Sequence, residues 1–262
     1  MTAATSRPAR DPRMPAGHYR FSHVLRMEWI KLRSLRSSWW TLAVTAAGAT
    51  AIAITVGVNT KDAAADLTNN ALAGIVPGLL SIGVLGVLVM TGEYSSGAIM
   101  STLTAIPNRP LLLAAKAAVF GSVALSVGEA AAFVAFFAGA AALPGRVPPP
   151  TLGQPGVLRA VVLSGVGICL IGLLGLGLGS IVRHTGAAVA VLVGGVFVGA
   201  QVVGAVAHAA LGYIPVSIVA NSLAVTQALP GMLSPWAGLA VLCLYAAVAL
   251  CVGAWLLARR DA

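Results

Sequence analysis

Charge is scarce in this chain of 262 residues: only 9% are Asp, Glu, Lys or Arg, against about 25% in a soluble globular domain. Lysine is nearly absent. A phosphate-binding loop needs glycines leading to a Gly-Lys-Ser/Thr step, so that backbone amides and an ammonium hold the phosphates. The three lysines, Lys31, Lys61 and Lys116, follow Ile, Thr and Ala, so the chain has no such loop and ATP chemistry is excluded from it. Neither G-x-S-x-G nor H-E-x-x-H occurs. The aspartates, Asp11, Asp62, Asp66 and Asp261, all fall outside the apolar runs, which removes an intramembrane aspartyl dyad. Cysteine is limited to Cys169, Cys243 and Cys251, each inside an apolar run. They read as small buried hydrophobes, without the short loop spacing of a disulfide framework or metal site. An enzyme is therefore not expected, nor a metal or cofactor bound by this chain.

What is abundant is apolar surface. Hydrophobic residues make up 58% of the chain, more than a water-soluble core of this size can use. A membrane span takes about 20 mostly apolar residues. Six stretches qualify: Trp39–Val58, Ala71–Met90, Leu111–Ala142, Ala160–Val182, Gly186–Ala207 and Trp236–Ala258. The expected fold class is an all-α membrane protein of six transmembrane helices, preceded by an amphipathic interfacial helix. A cleavable leader does not fit, because a long polar stretch precedes the first apolar run. The formal charge of +9 lies mostly at the front of the chain. With a cytoplasmic N-terminus, the inner side collects Arg7, Arg10, Arg13, Arg20, Arg26, Lys31, Arg33, Arg36, Arg109, Lys116, Arg183, Arg259 and Arg260. The outer side keeps only Lys61, Arg146 and Arg159. The positive-inside rule then predicts that both termini are cytoplasmic. The basic excess thus reads as topology, and no nucleic-acid partner is expected.

Outside the spans, residues 1–20 are rich in Pro, Arg and Ala without a period and are expected to be disordered. Residues 144–156 carry five prolines and form an extended outer loop, and 208–235 is a long outer segment in which Val216–Leu229 suggests a short helix. In the segment 21–37, Phe21, Val24, Leu25, Trp29, Leu32 and Leu35 share one helical face, flanked by Lys31 and Arg36. This is the pattern of a basic helix lying in the membrane interface. Glu28 falls inside its apolar face. Either it pairs with Lys31 at i,i+3, or it docks against the membrane bundle or a partner subunit. The inside loop 92–110 carries Ile99, Leu103 and Ile106 at helical spacing, ended by Pro107. An exposed helix with that apolar face needs a cover, either the headgroup layer or a soluble partner.

These two stretches carry a family resemblance. Glu28-Trp-Ile-Lys-Leu-Arg33, ahead of a Trp-rich first span, resembles the start of type 2 ABC transporter permeases. Glu93-Tyr-Ser-Ser-Gly97-Ala-Ile, followed by Pro107-Asn-Arg109 and Lys116, is similar to the first cytoplasmic loop of that family. The six-span plan and the long final outer segment are similar as well. The resemblance implies a bacterial plasma-membrane permease, generally an exporter, that works with a separate ABC ATPase subunit. It also implies a second permease copy, identical or different. ATP and Mg would be used by the partner. Glu28, Trp29, Lys31 and Arg33 would belong to the connecting helix. Glu93, Tyr94, Gly97, Ile99, Leu103 and Ile106 would belong to the coupling segment that sits on the ATPase. Everything from 38 to 262 would be the permease domain.

Two further features bear on a pathway. Glu129 stands near the middle of the third span, where a carboxyl must be protonated, paired or facing water, and is a functional candidate. Gln201 in the fifth span is one possible partner. Lys116 lies close enough to the inner surface to snorkel. A self-contained proton-coupled secondary transporter using Glu129 is the competing reading. The scarcity of polar groups in the spans favours an apolar or amphipathic cargo. Gly74-x-x-x-Gly78, Gly175-x-x-x-Gly179 and Gly195-x-x-x-Gly199 offer flat surfaces for close helix packing.

Overall fold

The computed structural model describes residues 20–62, 64–226 and 231–259, so the basic tail expected to be disordered lies almost wholly outside the described residues. Among the described residues all regular structure is helical. Helix α1 covers Phe21–Ser34 and turns at Leu35 into α2, Arg36–Asn59. A short helix α3, Leu67–Ala71, precedes α4, Ile75–Ser95. Helix α5 is Ala98–Ala105, α6 is Arg109–Ala141 and α7 is Val157–Val182. The next helix begins as α8, Thr185–Ala190, widens into a π-helical stretch over Val191–Gly199, and ends as α9, Ala200–Val206. A 3-10 turn at His208–Tyr213, α10 at Pro215–Leu223 and α11 at Pro235–Arg259 complete the chain. Six helices are long and apolar enough to cross a membrane: α2, α4, α6, α7, the α8–α9 run and α11. Their positions match the six apolar stretches to within a few residues.

Local chemistry explains the boundaries. Asn108 caps α6 by accepting from the Leu111 amide, with Pro110 in the first turn where its missing N–H costs nothing. Arg183 ends α7 at φ 61°, and its guanidinium donates to the Leu256 carbonyl, which turns the chain sharply into α8. Gly97, at φ 72°, makes the reversal between α4 and α5, a backbone region that excludes most side chains.

Helix α7 is the axis of the bundle, with 72% of its apolar window buried, and it packs on α4, α6 and α11. Helix α2 lies against α6 and α4. A close backbone crossing joins α4 and α7. A Cβ added to Gly86 would stand 2.1 Å from the Gly172 carbonyl oxygen, and one added to Gly175 would stand 2.1 Å from that of Gly83. Gly74 meets the backbone of Ala49, and Gly179 that of Val87. Two of the three expected small-residue faces are therefore packed. The third is not, since Gly195 has nothing within 4 Å. The fifth span is peripheral, with 11% of its window buried. It touches the bundle mainly where Ala188 and Leu192 pack beside Val87.

The expected helix Val216–Leu229 ends early, at Leu223. The reason lies across the bundle end. Asp66 caps α3 through Oδ1 and accepts the amides of Val225 (2.7 Å) and Thr226 (2.9 Å) through Oδ2. Arg159 holds the Ala224 carbonyl at 3.1 Å. Amides drawn out to a carboxylate cannot also continue a helix.

Candidate functional site

Helix α1 crosses α6 at the bundle end opposite Asp66. Val24, Glu28 and Leu32, four residues apart, form its buried stripe. Val24 packs with Ile106, Leu112 and Ala115. The apolar face read from the sequence is thus divided: its Val24–Leu32 stripe meets protein, whereas Phe21, Trp29 and Leu35 remain exposed.

Four charged side chains meet beneath α1. The ammonium of Lys116, two turns into α6, donates to Glu28 Oε2 at 2.5 Å and to Glu93 Oε1 at 2.7 Å. The ammonium of Lys31 donates to Glu28 Oε1 at 3.1 Å, Glu93 Oε1 at 3.0 Å and Thr102 Oγ1 at 3.0 Å. The side chains of Glu28 and Lys116 are 3% and 4% exposed. Two carboxylates and two ammonium groups leave the group formally neutral, which is how buried charge is tolerated. All three Lys31 protons are used. Glu93 Oε2 remains buried without a hydrogen-bond partner among the described residues.

The arrangement joins four segments that are distant in sequence. Glu28 and Lys31 come from α1, Glu93 from the last turn of α4, Thr102 from α5 and Lys116 from α6. A cavity of ≈ 520 Å³ opens beside them, lined by Leu85, Val89, Phe120 and the Ser37, Ser38 and Thr41 side chains of α2. The carboxylates are neutralised by the lysines. The arrangement can act as a mechanical junction, in which the four segments move together or the ion pairs separate.

Two sequence expectations are corrected here. Lys116 does not snorkel to the surface, because two carboxylates hold its ammonium inside. The apolar face of α5 is not covered by headgroups or a soluble partner either. Ile99 and Ile106 are each 4% exposed, and Leu103 packs on the same cluster as Val24. The cover is the protein's own α1 and α6. What α5 leaves exposed is the opposite side, with Met100, Ser101, Thr104 and Ala105.

The other residues singled out from the sequence have separate places. Glu28's two alternatives are realised together, since it pairs with Lys31 and also docks in the bundle. Tyr94 lies under the Arg183 guanidinium, 5.5 Å from ring centroid to carbon, which links α4 to the α7 terminus. Trp29 and Arg33 face outward. Glu129 and Gln201 do not meet. The Glu129 carboxyl lies against α7 where Gly165 leaves room for it, and its Oε2 has no hydrogen-bond partner among the described residues. Gln201 is exposed on α9. Among the described residues no three His, Cys, Asp or Glu side chains gather in metal-binding geometry. Thr102 is the member of the site that sequence reading missed, and Lys116 was read only as a snorkelling cation, without its two carboxylate partners.

Comparison of the chain with protein-family models and with curated proteins finds no match.

Proposed function

We propose that this chain is the membrane-spanning permease subunit of an ABC transporter, an exporter driven by a separate ATPase. In this reading the end carrying α1 and α5 is cytoplasmic and both termini lie inside. The observation that carries the proposal is the four-charge group, buried at Glu28 and Lys116. A permease without its own nucleotide site must receive motion from outside the membrane, through a rigid element fixed to its spans. Helix α5 meets that need. It is short, its apolar side packs with residues of α1 and α6, and Thr102 accepts from Lys31 of α1, whose ammonium also holds Glu93 of α4. Pressure on its exposed side reaches α1, α4 and α6 at once. ATP and Mg belong to the partner, and this chain has no catalytic role.

A second permease copy is part of the same proposal. The fifth span leaves nearly all of its surface uncovered, including the Gln201 amide. An amide facing hydrocarbon without a partner is costly, and interhelical contact relieves the cost. The apolar walls between α7, the fifth span and α11, around a groove of ≈ 860 Å³, suit an apolar or amphipathic cargo.

The exposed side of α5 supplies the test. A photo-crosslinking amino acid placed at Met100, which is 55% exposed, should form an adduct with a nucleotide-binding protein in native membranes. The same group at buried Leu112 should form none. Adducts at Met100 with lipid alone would remove the coupling role of α5.

A further inference from the structure

The side of α1 that faces away from the charge group has a different composition. Arg20, Arg26, Arg33 and, just beyond, Arg36 are all exposed, and the helix has one acid, Glu28, which is buried against α6. Arg26 makes no ion pair among the described residues. Its guanidinium borders a groove of ≈ 400 Å³ between α1 and α6, completed by Leu25, Trp29, Ala118, Val119 and Ser122. The groove is chemically graded. At the α1 edge stand a cation and the indole of Trp29, 42% exposed, the residue type enriched where headgroups begin. Away from α1 it runs down α6 over Ala118 and Ser122, whose hydroxyl is already turned back to the Val119 carbonyl. Just below it on the same side of α6, Leu125 is exposed. The small side chains of Ala118 and Ser122 leave the channel open beside α6.

We infer that this groove holds one anionic phospholipid, its phosphate on Arg26 and Trp29 and one acyl chain along Ala118 and Ser122. An excess of cations with no exposed acid selects an anionic over a zwitterionic headgroup, and the apolar channel selects a lipid over free phosphate. The site fixes the outer side of α1 while the ion pairs fix its inner side. It rests on the chain being membrane-embedded and is independent of any ATPase.

The test is native mass spectrometry of the purified full chain titrated with phosphatidylglycerol or phosphatidylcholine of equal acyl length. One tightly held phosphatidylglycerol is expected, with phosphatidylcholine weaker. Arg26→Gln should weaken the phosphatidylglycerol by about tenfold, the loss of a charge-assisted contact, whereas Arg33→Gln, outside the groove, leaves it unchanged. Ala118→Phe, which fills the channel with Arg26 intact, should displace it as well, and this variant decides the matter if Arg26→Gln does not fold. Equal weakening by both arginine variants would mean diffuse attraction and overturn the site. Retention of inorganic phosphate in place of lipid, or of phosphatidylglycerol by Ala118→Phe, would overturn it too.

Discussion

Replacing Lys116 by methionine is expected to destabilise the protein by about 3–5 kcal/mol, the range for removing one partner of a buried ion pair. The packing volume changes little, so the loss is electrostatic. Glu28, 3% exposed, would keep only Lys31 at 3.1 Å, and Glu93 would share that same ammonium. Two carboxylates would then compete for a single partly exposed cation. Equilibrium unfolding in a fixed detergent, followed by tryptophan emission, reads the change. The reciprocal test adds Glu28→Leu to the Lys116→Met background. Removing both charges should recover much of the loss, because an apolar pair of similar volume is about as stable as a buried ion pair. Stability within about 0.5 kcal/mol of the parent for Lys116→Met alone, the level of an exposed pair, would mean that the charges are solvated.

The second large effect is expected at the crossing of α4 and α7. A side chain at Gly86 or Gly175 meets a backbone carbonyl at 2.1 Å, an atom that cannot rotate aside. Gly175→Val must therefore separate the two helices. Overpacking in a core costs about 1–3 kcal/mol where side chains can adjust, and here no side chain is available to adjust. The loss is expected at or above the top of that range. It reaches the candidate site as well, because α4 carries Glu93 at its far end. Gly194→Ala is the control: nothing lies within 4 Å of the added methyl, and the change should be neutral or slightly stabilising through helix propensity. Both variants are compared by thermal unfolding under one set of conditions. Equal stability of the two would contradict the close crossing.

The six spans were legible because hydropathy over some 20 residues is a sum, insensitive to any one position. The candidate site was legible only in fragments. Glu28 stood out as an acid in an apolar stripe, and Lys116 as a charge inside a span. Each was noticed, yet their pairing depends on how α1 crosses α6, a tertiary fact that helical periodicity does not encode. Thr102 had no distinguishing pattern at all. The apolar side of α5 was read correctly as needing a cover, but periodicity says only that a face is apolar, not what it packs against. Glycine spacing misled in a similar way. Gly175 and Gly179 pack against α4, but the paired glycines are Gly172 and Gly175 against Gly86 and Gly83, at i,i+3, whereas Gly195 and Gly199 share the four-residue spacing and Gly195 touches nothing. Early termination of α10 at Leu223 depends on Asp66, roughly 160 residues away in sequence, beyond any local rule.

The most direct measurement of the proposed function is the composition of the complex that this chain forms in its native membrane. The tagged protein would be isolated in mild detergent, and its companions identified and quantified by mass spectrometry. The expected result is a soluble subunit bearing a phosphate-binding loop, in a stoichiometric ratio to the permease, together with a second permease chain. Recovery of the chain alone, under conditions that preserve a known membrane complex, would contradict an ATPase-driven permease. Glu129, with its unpartnered carboxyl oxygen, would then be the first residue to examine in a self-contained transporter.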